Sequence, residues 1–207
     1  MTDPAERTAV TLLYPGCTIA EVIELATRLA NHGVQTVFAA SDDAAITDAS
    51  GLSMQPDTTL ADVDPAIVDA VIVPGGDPGS IIGNADVEHW LRQAEHALVA
   101  GICAGVAVLA ASGLTTGRHI THNYREPWAP PDVVTFVAHL WEGAVVEADV
   151  SIGVVRDERL ITALPNATVD FTVAVLQSLE LIDETNAHNL SRHLRGNHVP
   201  DLFLDGS

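Results

Sequence analysis

The 207-residue sequence predicts an α/β protein: a mostly parallel sheet covered by helices on both faces, with a cysteine nucleophile elbow at its edge. Three observations predict it. Short apolar runs alternate with segments of helical spacing from residue 9 to about residue 181. Several of these runs stop at glycine or proline, as at Pro15-Gly16 and Pro74-Gly75-Gly76. One run passes straight into Ala100-Gly-Ile-Cys-Ala-Gly105, which sets a cysteine between two glycines where a strand gives way to a helix. The length suits one domain over residues 1–207, with a core at about 9–181 and a C-terminal extension at 182–207.

The elements follow in order. Residues 9–14 (AVTLLY) form a buried strand closed by Pro15-Gly16. From Thr18 onward, Ile19, Val22, Ile23, Leu25, Ala26 and Leu29 recur at helical spacing until Asn31-His32-Gly33 ends the pattern. Residues 35–40 are a second strand, 45–54 a short hairpin and 69–74 a third strand. Residues 86–97 have helical spacing and 98–102 are a fourth strand. Residues 104–111 form a helix of small side chains, closed at Ser112-Gly113. Pro127, Pro130 and Pro131 exclude regular structure around them, and 133–140 is expected to be a strand. Residues 145–149 and 152–156 are expected to pair as strands with Asp157-Glu158 as the turn. Residues 160–163 give another strand and 168–181 a long amphipathic helix. The polar tail from 183 predicts a further helix and an arm that packs on a partner subunit.

Composition excludes some functions. The net charge is −19, and all nine basic residues are arginine, so nucleic acid and anionic membranes are poor partners. The two cysteines, Cys17 and Cys103, do not make a disulfide framework, and a reducing, cytoplasmic setting fits them. The first residues lack a signal-peptide pattern, and no run of about 18 apolar residues suggests a membrane span. His188, His193 and His198 have no cysteine or carboxylate at compact ligand spacing, so no metal is expected.

Cys103 carries the chemistry. A sharp strand-to-helix turn would push its side chain out at the carboxyl edge of the sheet, where open α/β sheets bind ligands. The helix amino terminus is expected to lower the thiol pKa and, with Ala104, to supply N–H groups. The competing possibility is a buried, inert cysteine packed as a small apolar residue. Gly75 and Gly76, at the turn after the third strand, would offer N–H groups to a developing oxyanion at the same edge. A Pro-Gly-Gly turn also has a simpler explanation in loop geometry. Cys17 is read as incidental.

Taken together, Val73-Pro74-Gly75-Gly76, Gly101-Ile-Cys-Ala-Gly105, Gly113-Leu-Thr-Thr-Gly117 and Thr121-His122 resemble the ThiJ/PfpI superfamily in content and order. The resemblance implies a flavodoxin-like three-layer sandwich, related to class I glutamine amidotransferases, that works without a cofactor and forms a homodimer. It also implies that Glu21 stands where the family has an acid hydrogen-bonded to the nucleophilic cysteine. Thr18-Ile-Ala-Glu21 equally matches a capping box, and Glu24 is an alternative acid one turn later. His122 falls where several members carry a histidine near the cysteine, with His119 the weaker candidate. Ala104 departs from the protease-like branch, which has histidine there, so peptidase activity is disfavoured. Glu21 in place of aspartate argues mildly against the isocyanide hydratase branch. The segment from Tyr124 to Trp141, which contains Trp128, departs from the glyoxalase-like branch and is expected to line the pocket. The activity implied is glyoxalase- or deglycase-like, on a small electrophile such as methylglyoxal. A redox sensor or holdase chaperone acting through Cys103 oxidation, or an isocyanide hydratase-like lyase, are the alternatives.

Overall fold

Strands in a parallel sheet are buried on both faces, and the apolar runs of this chain meet that demand. The computed structural model describes residues 7–126 and 128–197. Numbered along the chain, the strands are β1 (Thr8–Leu12), β2 (Gln35–Ala40), β3 (Ile46–Thr47), β4 (Ser53–Met54), β5 (Thr58–Thr59) and β6 (Ala70–Val73). They continue with β7 (Leu98–Ile102), β8 (His119–Ile120), β9 (Val145–Val146), β10 (Val154–Asp157) and β11 (Leu160–Ala163). The helices are α1 (Ile23–Asn31), α2 (Ala85–Gln93), α3 (Gly105–Ala111), α4 (Pro131–Val137), α5 (Thr168–Ser178) and α6 (Glu184–Leu194).

The main sheet runs β10-β11-β7-β6-β1-β2-β5. Every neighbouring pair is parallel except β10 with β11. Helix α1 packs on β2 and α5, and α5 also covers β7 and β11 with α6 beside it. Helices α2 and α3 pack on each other, and α3 lies on β6 and β7. The result is the expected three-layer sandwich. Val10, Ile72, Ile102, Leu109, Ile161 and Phe171 are among its fully buried side chains. No helix among the described residues is long and apolar enough to cross a membrane.

Strand order reverses between β1 and β6, which opens a crevice at the carboxyl ends of these strands. The loops after β1, β6 and β7 all emerge there. Cys17 and Gly76 form an antiparallel bridge between the first two of these loops. Thr18 N–H donates to Gly75 O at 2.8 Å and Asp77 N–H to Gly16 O at 3.0 Å, so the loops are fixed by backbone pairing.

Three local expectations are corrected. Residues 133–140 are not a strand: α4 starts at Pro131, and the 3-10 turn Ala138–Trp141 follows. Proline at a first helical position loses no bond, because that N–H has no intrahelical acceptor. The segments 145–149 and 152–156 do not pair with each other. β9 instead pairs in parallel with β8, and β10 pairs with β11 around a turn that includes Glu158 at φ 52°. The Asp149 carboxylate, which accepts from the Ser151 N–H and Oγ–H, closes a turn that separates the two segments. The first helix also starts later than its apolar spacing suggests, after the 3-10 turn Ile19–Glu21. Helix α6 is present as expected, whereas Pro127, His198 and the expected C-terminal arm at 198–207 lie outside the described residues.

Candidate active site

Cys103 sits between β7 and α3 with φ 56°, a left-handed conformation that costs a side-chain-bearing residue about 1–2 kcal/mol. The surroundings impose it. Cys103 N–H donates to Ala163 O at 2.8 Å, which anchors the turn to β11. A Cβ on Gly105 would lie 2.3 Å from Val73 O, and one on Gly101 would lie 2.7 Å from Leu109 Cδ1. Glycine is therefore required at 105 by the backbone of β6, while at 101 a Cβ would displace the tip of Leu109. The turn is a tight strand-to-helix junction with left-handed backbone at Cys103, and it leaves the cysteine partly exposed.

Glu21, in the 3-10 turn before α1, reaches across the crevice. Its Oε2 accepts from Gly75 N–H at 2.8 Å, and its carboxyl hydrogen-bonds the Cys103 thiol. The capping-box alternative is not formed, since Thr18 makes no side-chain cap. Glu24 instead pairs with Arg28 Nε at 2.7 Å. Gly75 is corrected as an oxyanion donor because Glu21 already takes its N–H. Its role is clearance: a Cβ there would fall 2.6 Å from Glu21 Oε2 and 2.8 Å from Cys103 Sγ. The Gly76 and Ala104 N–H groups do face the sulfur as donors. Gly76 holds φ 120°, and a Cβ there would be 2.1 Å from Gly16 O, so only glycine fits. The Tyr14 hydroxyl donates toward Pro74 O and Gly75 O, 2.7 Å from each, which steadies the same turn from below.

Electrostatics depart from the sequence-based expectation. The thiol pKa is raised, not lowered: burial and the neighbouring Glu21 carboxylate push Cys103 up to about 12. The Ala104 and Gly76 N–H groups pull the other way without prevailing. Burial also raises the Glu21 carboxyl, against the lowering effect of its bonds to Gly75 and Cys103. Two acids in one poorly solvated pair do not both ionise readily, and a thiol held at about 12 keeps its proton at neutral pH unless a neighbouring base takes it. The thiolate then exists when that proton sits on Glu21.

His122 is buried but does not supply the sulfur's side-chain donor. Its ring stacks on Trp141 with centroids 3.9 Å apart and planes 6° from parallel, and its Nδ1 accepts from Tyr124 N–H at 3.1 Å. Burial, and then the Arg125 charge, lower its pKa to about 4, so it is neutral. The residue that approaches the sulfur is Asn123, whose Nδ2 donates to Cys103 Sγ at 3.8 Å. Sequence reasoning missed Asn123, and only its place beside His122 could have signalled it. Thr121 N–H donates to Thr162 Oγ1 at 2.9 Å and Arg125 Nη2 to Thr121 Oγ1 at 3.2 Å, which ties this loop to β11. Burial and the nearby Cys103 and Asp77 charges push the Tyr124 phenol up to about 12. His119 faces away from this cluster in its contacts, with Nε2 3.1 Å from Glu147 Oε2. Cys17 is fully buried and, like Cys103, is a free thiol. No group of three or more His, Cys, Asp or Glu among the described residues is placed to hold a metal ion.

Known proteins share this arrangement of fold and sequence. The chain is 28% identical over 187 residues to the glutathione-independent glyoxalase DJR-1.2 of Caenorhabditis elegans, spanning 88% of this chain and 94% of that protein. It is 30% identical over 154 residues to an isonitrile hydratase of Pseudomonas putida, spanning 72% of this chain and 61% of that protein. Among solved structures, the DJ-1 superfamily protein Atu0886 from Agrobacterium tumefaciens superposes with a TM-score of 0.76 at 26% identity, over 91% of this chain and 98% of that one. The model of the DJ-1/PfpI family matches residues 7–178, a span that holds Glu21, Gly76, Cys103 and Asn123, and the chain belongs to that family.

Proposed function

We propose that the protein is a cofactor-independent glyoxalase-like enzyme that converts methylglyoxal or a similar small α-oxoaldehyde to a hydroxy acid, with Cys103 as nucleophile. The observation that carries this is the Glu21 carboxyl, held by Gly75 N–H, beside the partly exposed Cys103 thiol on its strand-to-helix turn, with the Gly76 and Ala104 N–H groups near the sulfur. Glu21 takes the thiol proton as sulfur adds to the aldehyde carbon. The carbonyl oxygen gains charge facing the Gly76 and Ala104 N–H groups, and Glu21 then returns the proton to it. Glu21 next moves a proton from the attacked carbon to its neighbour, while the hydroxyl proton on the attacked carbon passes to the neighbouring ketone oxygen. This converts the hemithioacetal to a thioester of the hydroxy acid, and water hydrolyses the thioester to free the thiol. A neutral His122, wedged on Trp141, serves to position the loop that carries Asn123.

The DJR-1.2 relative supports this assignment, and so does glutamate at position 21. The isonitrile hydratase relative favours hydration of an isocyanide as the second possibility. Purified protein is expected to release lactate from methylglyoxal, and Cys103→Ala to lose at least a hundredfold in kcat/KM. Turnover by Cys103→Ala equal to wild type, or turnover of isocyanides alone, would remove the glyoxalase assignment. A cytoplasmic homodimer belongs to the same proposal, and sedimentation velocity reads the dimer directly.

A further inference from the structure

Gly75 and Gly76 follow each other just past β6, and a glycine pair has little intrinsic preference for one peptide orientation. Yet each N–H group has a definite target. Gly75 N–H donates to Glu21 Oε2 at 2.8 Å, and Gly76 N–H faces the Cys103 sulfur. Two contacts hold these peptides by their carbonyls. Thr18 N–H donates to Gly75 O at 2.8 Å, and the Tyr14 hydroxyl lies 2.7 Å from both Pro74 O and Gly75 O. In a planar trans peptide the carbonyl and the following N–H point in opposite directions. Holding Pro74 O therefore aims Gly75 N–H away from Tyr14, and holding Gly75 O does the same for Gly76 N–H.

We propose that Tyr14 is a positioning residue of the Cys103 site, whose single hydroxyl clamps two consecutive carbonyls and so directs one N–H to the Glu21 carboxyl and the next to the sulfur. The phenol suits that task. Tyr14 is fully buried just beyond β1, so its ring is fixed by the core and its hydroxyl is a rigid anchor. Burial, and then the nearby Cys17, Glu21 and Cys103 charges, push the phenol well above its usual range, so it keeps its proton and remains a donor. Phenylalanine would fill the same space and lose only the clamp. Gly75 O would keep its bond from Thr18, so the loss should fall mainly on the Pro74–Gly75 peptide, and through Gly75 N–H on Glu21.

Glu21 reports on the clamp without any substrate. Its carboxyl, labelled with 13C and identified by the signal missing from Glu21→Gln, is titrated by NMR. Cys103 and Tyr14, the titratable groups beside it, keep their protons while a carboxyl titrates. A backbone N–H bonded to a carboxylate favours its charged form, so a loosened Gly75 N–H makes Glu21 a stronger base. In Tyr14→Phe the Glu21 midpoint is expected to rise by about one pH unit, a tenfold gain in proton affinity. p-Aminophenylalanine at position 14 restores an N–H donor on the same ring and should return the midpoint to the wild-type value. An unmoved midpoint in Tyr14→Phe, even with a loss of stability, would make Tyr14 a packing residue and overturn the inference. So would a p-aminophenylalanine variant displaced as far as Tyr14→Phe, or displaced at all if Tyr14→Phe does not fold. The inference does not rest on the glyoxalase reading. A Tyr14-dependent Glu21 midpoint in a protein that makes no hydroxy acid would uphold the clamp and end the glyoxalase proposal.

Discussion

Replacing Glu21 by glutamine should move two readouts in opposite directions. The side chain keeps its length, an oxygen to accept from Gly75 N–H and a donor toward the sulfur, but it loses its charge and its capacity to carry a proton. Glu21 Oε2 and Cys103 Sγ both lie within 2.8 Å of the point that a Cβ on Gly75 would occupy, so a carboxylate and a thiolate here are close neighbours. Like charges about 4 Å apart repel by ~4 kcal/mol at an effective dielectric near 20. If even a third of that is relieved, ~1.4 kcal/mol, the thiolate fraction at pH 7 rises about tenfold. A less basic thiolate is also a weaker nucleophile, with a Brønsted slope of about 0.5, so the net gain in alkylation is about threefold. Glyoxalase turnover should fall at least a hundredfold, because glutamine cannot take the thiol proton. Timed iodoacetamide labelling followed by intact mass, from pH 6 to 10, gives the first number, and lactate release gives the second. Wild-type labelling should still be climbing at pH 10, as a thiol held at about 12 requires. Slower or unchanged labelling of Glu21→Gln at pH 7 would refute the coupling of the carboxyl to the thiol.

Two further predictions concern stability. His122 is held neutral with a pKa of about 4, against 6.5 unfolded, so the unfolded chain takes up the proton first as pH falls. Stability present above pH 6.5 is lost progressively down to pH 4, by up to ~3 kcal/mol from this group. His122→Phe, which preserves a ring against Trp141, should flatten that part of the denaturation profile, and an unchanged acid limb would contradict the burial argument. Gly105→Ala places a Cβ 2.3 Å from Val73 O and should cost about 3 kcal/mol by chemical denaturation, roughly 5–10 °C in Tm. A loss under about 2 °C would mean that the elbow can relax.

Legibility of this site in the sequence followed the range of the interactions. The strand-to-helix turn at Cys103 was readable because its requirements are local: Gly105 is dictated by the backbone of neighbouring β6, and Gly101 faces Leu109 of the turn's own helix. The partnership of Glu21 with Gly75 spans 54 positions, and nothing in the sequence pointed to it; the resemblance to a family pointed to Glu21 beside Cys103, where Thr18-Ile-Ala-Glu21 alone equally suggested a cap. The contact of Asn123 with Cys103 depends on how a loop docks on β11 through Thr121 and Thr162, and no periodicity encodes that. The raised thiol pKa was misjudged for a similar reason. Helix-end donors are visible in a sequence, whereas burial and a distant carboxylate are not. Helix α4 was hidden by β-branched Val133, Val134 and Val137, whose strand preference gave way to Pro131 at the first helical position.

The segment from β8 to β9 brings its own small two-stranded sheet and meets the edge that carries Cys103 as a separate wall. Cys103, Glu21 and the Gly76 N–H are seated on loops of the main sheet and pinned by backbone pairing. Side chains of the wall, Asn123 and Tyr124 among them, face that machinery without forming its framework. Evolution can therefore redraw the wall, changing which small molecules enter, while leaving the reactive thiol where it is. A fold divided in this way is suited to diversify its substrates faster than its chemistry.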